Sequence, residues 1–192
     1  MKLAVVLGAA LCAVPAFADF DADSYPAYET CALCHGLEGQ SRTGKFPHLA
    51  GQKPAYIEAQ LTAFLGGLRT NDGGQMASIV TELSPEDIPV VVQWFSQQPP
   101  PSPAPAPVDQ TGAQLVASAG CLDCHGAQSA PNVPHIAAQH SRYLAKQMRD
   151  FRDGLRSHGP FAEDHQIAFS TMEDGIDQIA AYLASRSRDS GQ

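Results

Sequence analysis

The sequence predicts an all-α protein made of two tandem copies of one small helical unit, joined by a proline-rich linker. Three observations carry this. A five-residue motif, Cys31-Ala32-Leu33-Cys34-His35, returns ninety residues later as Cys121-Leu122-Asp123-Cys124-His125, and the segments after it return in the same order. Apolar residues recur at spacings of three and four, while no useful length of period-two alternation is present, so helices and loops are expected with strand nearly absent. Between the copies, Pro99 to Pro107 hold six prolines in nine positions, which favours a stiff polyproline II spacer of about 3.1 Å per residue.

Met1 to Ala18 combine a basic start at Lys2, an apolar run from Leu3 to Val14 and the small-x-small ending Ala16-Phe17-Ala18. This pattern reads as a secretory signal peptide cleaved after Ala18, which predicts a periplasmic mature chain. The apolar run is too short to span a bilayer, and no later stretch is long enough. Lipidation at Cys12 is the weaker reading, because Leu11 stands where a small residue is wanted. Loss of Lys2 with the signal shifts the formal charge from -8 to -9. That balance argues against a nucleic-acid partner, which needs a basic footprint, and permits steering toward a basic patch on a protein partner.

The first unit, 19–98, opens with a polar stretch and a short helix ahead of the first motif, with Pro26 in its first turn. Residues 36–45 read as loop. Ile57, Leu61, Phe64, Leu65 and Leu68 form one apolar helix face, which Gly66 and Gly67 weaken near its end. A turn from Thr70 to Gly74 delivers Met76 in a loop. Ser84-Pro85-Glu86-Asp87 then starts a helix with Ser84 as cap, running to about Gln98 and burying Ile88, Val91, Val92 and Phe95. Trp94 reads as a packing aromatic rather than an electron relay.

After the linker, 99–108, the second unit spans 109–192. Asp109 caps a helix leading into Cys121. Pro134 to Gln139 match Pro47 to Gln52, Tyr143, Gln147 and Phe151 match Tyr56, Gln60 and Phe64, and Gly154-Leu155-Arg156 match Gly67-Leu68-Arg69. Ile176, Ile179, Ala180, Tyr182 and Leu183 take the places of Ile88, Val91, Val92, Trp94 and Phe95.

The motifs carry the chemistry. Two cysteines separated by two residues, with a histidine directly after the second, can form thioether bonds to both vinyl groups of one haem while the imidazole ligates its iron. A structural zinc site also uses paired cysteines, but gives no reason for a histidine at the same place after both pairs. A thioredoxin-like site would need a lone C-x-x-C near a βαβ pattern, and a disulfide framework would not need this spacing twice. The reading is therefore two covalently bound haem c groups, attached at Cys31, Cys34, Cys121 and Cys124, with His35 and His125 as proximal ligands. Cys12 departs with the signal, so no thiol is left over.

The two motifs, each followed by a P-x-(L/I)-A-x-Q segment, a Y-(I/L)-x-x-Q-(L/M)-x-x-F helix, a G-L-R turn and a closing amphipathic helix, resemble the dihaem cytochrome c4 family over essentially the whole mature chain. The resemblance implies two class I cytochrome c folds and periplasmic electron transfer between respiratory redox partners, often with a terminal oxidase as acceptor. It also implies that the carbonyls of Pro47 and Pro134 accept hydrogen bonds from the proximal imidazoles, contacts that orient the ring and tune the iron. The chain departs from the family in its proline-rich connection and at the second distal position, where Ile167 or a near neighbour occupies the aligned methionine site.

For haem 1 the distal candidate is Met76, with a core methionine as the alternative. Thioether ligation fills the sixth position and raises the potential relative to nitrogen ligation. For haem 2, His165 is preferred over Met172, with an open site as the third possibility. His165 lies nine residues after Arg156 where Met76 lies seven after Arg69, whereas Met172 sits only four before Ile176. Ligation by His165 would set haem 2 below haem 1 in potential. His48, His135, His140 and His158 read as surface or loop histidines, Met148 as core, and Arg69 and Arg156 as propionate contacts or solvated helix-end arginines. The expected function is an electron carrier that needs no catalytic base or nucleophile. The alternatives are a dihaem enzyme with haem 2 open, or the electron-input subunit of a larger oxidoreductase.

Overall fold

In a computed structural model describing residues 25–126 and 128–188, every regular element is helical. The first half contains α1 (Tyr28–His35), α2 (Pro54–Leu65), α3 (Gln75–Val80) and α4 (Asp87–Gln97). The second contains α5 (Gln110–Ser118), α6 (Cys121–His125), α7 (Ser141–Arg152), α8 (Ala162–Ser170) and α9 (Ile176–Ala184), with a 3-10 turn at Glu173–Gly175. The expected signal segment lies outside the described residues.

Local chemistry explains most boundaries. Asp109 caps α5 through an Oδ1 that accepts from the Gly112 amide at 2.8 Å, satisfying one of the orphan donors of a first turn. Pro54 opens α2 at a position where its missing N–H costs nothing. That helix ends at Gly66, and Gly67 adopts φ 68°, so the apolar spacing no longer tracks one face. Leu65 and Leu68, expected on that face, are therefore 51% and 69% exposed. Helix α4 begins at Asp87, later than a Ser84 cap would place it. Pro85 and Glu86 lie in a turn closed by the Ser84 amide donating to the Asp87 carboxylate at 2.8 Å and the Asp87 amide donating to the Ser84 carbonyl at 3.1 Å.

Each half has its own core. Cys31, Ile57, Leu61, Phe64, Val80, Val91, Val92 and Phe95 cluster in the first. Val116, Leu144, Ala145, Met148, Phe169, Ile176, Ile179, Ala180 and Leu183 cluster in the second. Helices α5 and α9 touch at Gly112, where an added Cβ would stand 2.1 Å from the Gln178 carbonyl oxygen. Only glycine permits that approach.

The proline-rich segment does not act as a free spacer. Pro101 is buried, the Ala104 amide donates to the Ala184 carbonyl at 2.8 Å, and Gly51 leaves room for Pro100. The linker thus runs along the protein while the halves touch one another directly. Ala138, the counterpart of Gly51, has φ 52° and is the single non-glycine at positive φ among the described residues. An L-residue there stores roughly 1–2 kcal/mol, held in place by the Ala138 amide donating to the Leu183 carbonyl at 3.1 Å. The next residue, Gln139, reaches across to the other half.

Candidate functional site

The two C-x-x-C-H motifs form α1 and α6 themselves. A helical turn brings both cysteines and the histidine close together in each half. His35 is 5% exposed, and its Nδ1–H donates to the Pro47 carbonyl at 2.9 Å. His125 repeats this with the Pro134 carbonyl at 2.9 Å. In both rings Nε2 is the nitrogen left for a metal. Burial holds His35 below the ordinary histidine range and pushes His125 down to about 4, with the positive charge of Lys53 and Arg156 adding to the latter. Both imidazoles are therefore neutral, the form that ligates.

Among the described residues, Cys31, Cys34, Cys121 and Cys124 form no disulfide with one another. Burial pushes Cys31 up to about 11 and raises Cys121. Among the described residues no three His, Cys, Asp or Glu side chains gather where they could hold a metal ion. The pairs serve separate halves instead of closing around one zinc.

On the distal side, Met76 lies in α3 rather than in a loop. Its amide donates to the Asp72 carboxylate, and its side chain packs half-buried against the first core. His165 lies in α8, a helix that the sequence reading treated as loop. Its ring centroid is 5.9 Å from that of His125, with the planes at 63°. Two imidazoles bound to one metal through bonds of about 2 Å would have centroids roughly 6 Å apart. His165 Nδ1–H donates to the Phe161 carbonyl at 2.6 Å, leaving Nε2 available, and the ring stacks on Phe151 at 4.8 Å. Ile167, in the aligned methionine position, is 61% exposed. Met172 packs against the second core and lines a surface depression with Leu115 and Gln178.

Between the halves lies a polar network that the sequence reading missed. Arg69 donates to Gln60 at 2.7 Å within its own half, and to Tyr143 at 3.1 Å and Gln147 at 3.0 Å in the other. Arg156 mirrors it, donating to Gln147 at 2.9 Å, Tyr56 at 3.1 Å and Gln60 at 3.2 Å. Both arginines are buried, 5% and 8% exposed, which rules out solvated helix ends. His48 and His140 stack across the boundary with centroids 3.9 Å apart, and His158 reaches Gln60 at 3.2 Å. These three belong to the interface, not to the outer surface. The repeat equivalences Tyr56/Tyr143, Gln60/Gln147 and Arg69/Arg156 were the available signal. Trp94 packs as expected, stacked on Tyr28 at 3.9 Å, with its indole N–H donating to the Leu37 carbonyl at 2.7 Å.

The network also bears on the cofactor. His48 Nδ1, His158 Nδ1, Arg156 Nε and Arg188 Nη2 are buried without a partner. Buried polar groups of this kind require one. Of these, Arg156 and Arg188 supply N–H donors and positive charge, the paired arginines Arg69 and Arg156 meet tyrosine and glutamine rather than a carboxylate, and burial alone pushes Arg188 down to about 10. Such a donor set fits an anionic prosthetic group, and haem carries two propionates. The residues present therefore fit the group that the motifs call for.

Two helical units, each with a paired-cysteine and histidine motif on a proline carbonyl, define a dihaem c-type cytochrome. The family model described as Cytochrome c matches residues 110–187. The chain is 30% identical over 172 residues to cytochrome c4 of Pseudomonas aeruginosa, covering 80% of this chain and 82% of that protein. It is 28% identical over 176 residues to a thiosulfate dehydrogenase electron acceptor of Thiomonas intermedia, covering 84% and 80%. The solved structure of Acidithiobacillus ferrooxidans cytochrome c4 superposes with a TM-score of 0.71 at 28% identity, covering 82% of this chain and 99% of that one. The chain belongs to the cytochrome c4 family, carries two covalently bound haem c groups and is an electron carrier. No helix among the described residues is long and apolar enough to cross a membrane.

Proposed function

We propose that this chain is a periplasmic electron carrier with unlike irons, one ligated by His35 and Met76 and the other by His125 and His165. Cys31, Cys34, Cys121 and Cys124 hold the two porphyrins. The observation that carries the reading is the pairing of His125 and His165, 5.9 Å apart, each with Nδ1 engaged by a backbone carbonyl. Met172 instead packs against the second core and lines a surface depression with Leu115 and Gln178. Each haem supplies a one-electron ferric–ferrous couple when bound. The chain's own residues fill the axial positions, bury the rings and place positive charge between the halves. Nitrogen ligation at His165 sets the second half at a lower potential than thioether ligation at Met76 sets the first. The second half is then suited to receive from a donor and the first to deliver to an oxidant.

The proposed domain limits are 19–98 and 109–192, with 99–108 between them and a signal peptide ending at Ala18. The partners are redox proteins, with a terminal oxidase or reductase as acceptor. Likeness to the electron acceptor of a thiosulfate dehydrogenase supports a second reading, service as the electron-input partner of such an enzyme. Neither reading asks this chain for catalysis of its own. Carbon monoxide added to the reduced holoprotein and cyanide added to the oxidised form provide the test. Saturated irons leave both spectra unchanged, whereas rapid ligand binding at one haem would refute the carrier with two filled axial sites. Co-purification with a thiosulfate-oxidising enzyme would select the second reading.

A further inference from the structure

Resting on the assignment of His35 and His125 as proximal ligands, we propose that Gln139 is a positioning residue for haem 1 and Gln52 a positioning residue for haem 2, each acting from the opposite half. The geometry is reciprocal. The Pro47 carbonyl that accepts from His35 belongs to the same peptide group as the His48 amide, and that amide donates to Gln139 Oε1 at 2.8 Å. Gln139 Nε2 returns a bond to the His48 carbonyl at 2.9 Å. In the other direction, the Pro134 carbonyl accepts from His125, the His135 amide donates to Gln52 Oε1 at 2.9 Å, and Gln52 Nε2 donates to the His135 carbonyl at 3.0 Å.

Both glutamines are buried, 4% and 5% exposed. Each Oε1 accepts a second amide from the residue that follows it, Lys53 or His140, at 3.0 Å. With two N–H donors converging on it, that atom has to be the oxygen, so the amide orientation is fixed. The positive φ of Gly51 and Ala138 precedes each glutamine, which, among the described residues, places the one positive-φ strain outside glycine directly before this contact.

A peptide whose N–H donates becomes a stronger acceptor at its carbonyl, because bonds in a chain polarise one another. A stronger carbonyl draws the Nδ1 proton, gives the imidazole more anionic character, and favours the ferric state. Each glutamine therefore lowers the potential of the haem in the other half. The halves share a redox linkage as well as an interface.

The test uses the holoprotein and the variants Gln139→Leu, Gln139→Glu and Gln52→Leu. Equilibrium redox titration reads each haem separately, and NMR of the reduced form reads hydrogen exchange of the two ring Nδ1–H groups. Gln139→Leu is expected to move haem 1 about threefold toward the reduced form, roughly 28 mV for a one-electron couple, and to speed exchange at His35 but not at His125. Gln52→Leu is expected to do the converse. Gln139→Glu keeps the acceptor for the His48 amide and is expected to retain slow exchange at His35, so it also serves if the leucine variants fold poorly. A shift confined to the haem of the glutamine's own half, an equal shift at both, or unchanged potentials and exchange would overturn the proposal. A His35 ring without the porphyrin ring-current shift would overturn the ligand assignment beneath it and the proposal with it.

Discussion

Replacing Arg69 with methionine tests how much the crossed interface contributes to the folded state. The guanidinium makes four hydrogen bonds, to Gln60, Tyr143, Gln147 and Asn71, at 2.7 to 3.1 Å. Their loss is not a sum of four. Gln60 keeps Arg156 and His158 as donors, and Gln147 keeps Arg156 and Asn71. Only the Tyr143 hydroxyl and the Asn71 side-chain oxygen lose a bond that no other member of the network replaces. Bonds to a charged group contribute about 1.5–3 kcal/mol each, and removing one of two neighbouring buried cations offsets part of that. Methionine also retains contact with the Phe64 ring, over which the guanidinium sits at 4.6 Å. The expected destabilisation is about 3 kcal/mol. Urea unfolding of the holoprotein, followed by far-ultraviolet circular dichroism and haem absorbance, measures it. A double-mutant cycle with Tyr143→Phe is expected to show a coupling of about 1 kcal/mol, since the two side chains come from different halves. A loss below about 1 kcal/mol, or strict additivity in the cycle, would refute an energetically shared interface.

Three further outcomes are expected. Gly112→Ala forces a Cβ against the Gln178 carbonyl and is expected to destabilise the second half by about 1–3 kcal/mol, read as a lower unfolding midpoint with the first haem spectrum unchanged. His48 is held at about 4, below its ordinary 6.5, first by burial and then by His140 and Arg188. The unfolded chain then takes up the proton before the folded one, so stability is full above about 6.5 and falls as pH drops toward about 4. His48→Gln is expected to flatten that decline in thermal unfolding measured across the range, and an unchanged slope would contradict the assignment. His165→Ala is expected to let carbon monoxide bind one ferrous haem, while Met172→Leu leaves both closed. The reverse result would move the ligand to Met172.

Much of the site was legible because covalent attachment writes itself into short sequence. The cysteine spacing, the adjacent histidine and the following proline are local, and the structure places each proline carbonyl 2.9 Å from its imidazole. The Asp109 cap and the Trp94 packing were equally local. Features that depend on contact between the halves left a weaker trace. Gln52 and Gln139, Arg69 and Arg156 stood out only as matched positions, and matching cannot say that the copies of a repeat meet face to face. Composition alone made the prolines a spacer, because nothing local reports that Pro101 is covered or that Ala104 bonds to the end of α9. Helices α3 and α8 were missed for a related reason. They are short and weakly amphipathic, so their apolar spacing does not separate them from loop.

The central claim is that the two irons are unlike, with His165 opposite His125 and Met76 opposite His35. A combined near-infrared and electron paramagnetic resonance spectrum of the oxidised holoprotein tests it directly. One methionine-to-iron charge-transfer band of single-haem intensity, beside one bis-imidazole signal, is the expected result. Two methionine signatures, or none, would contradict the account.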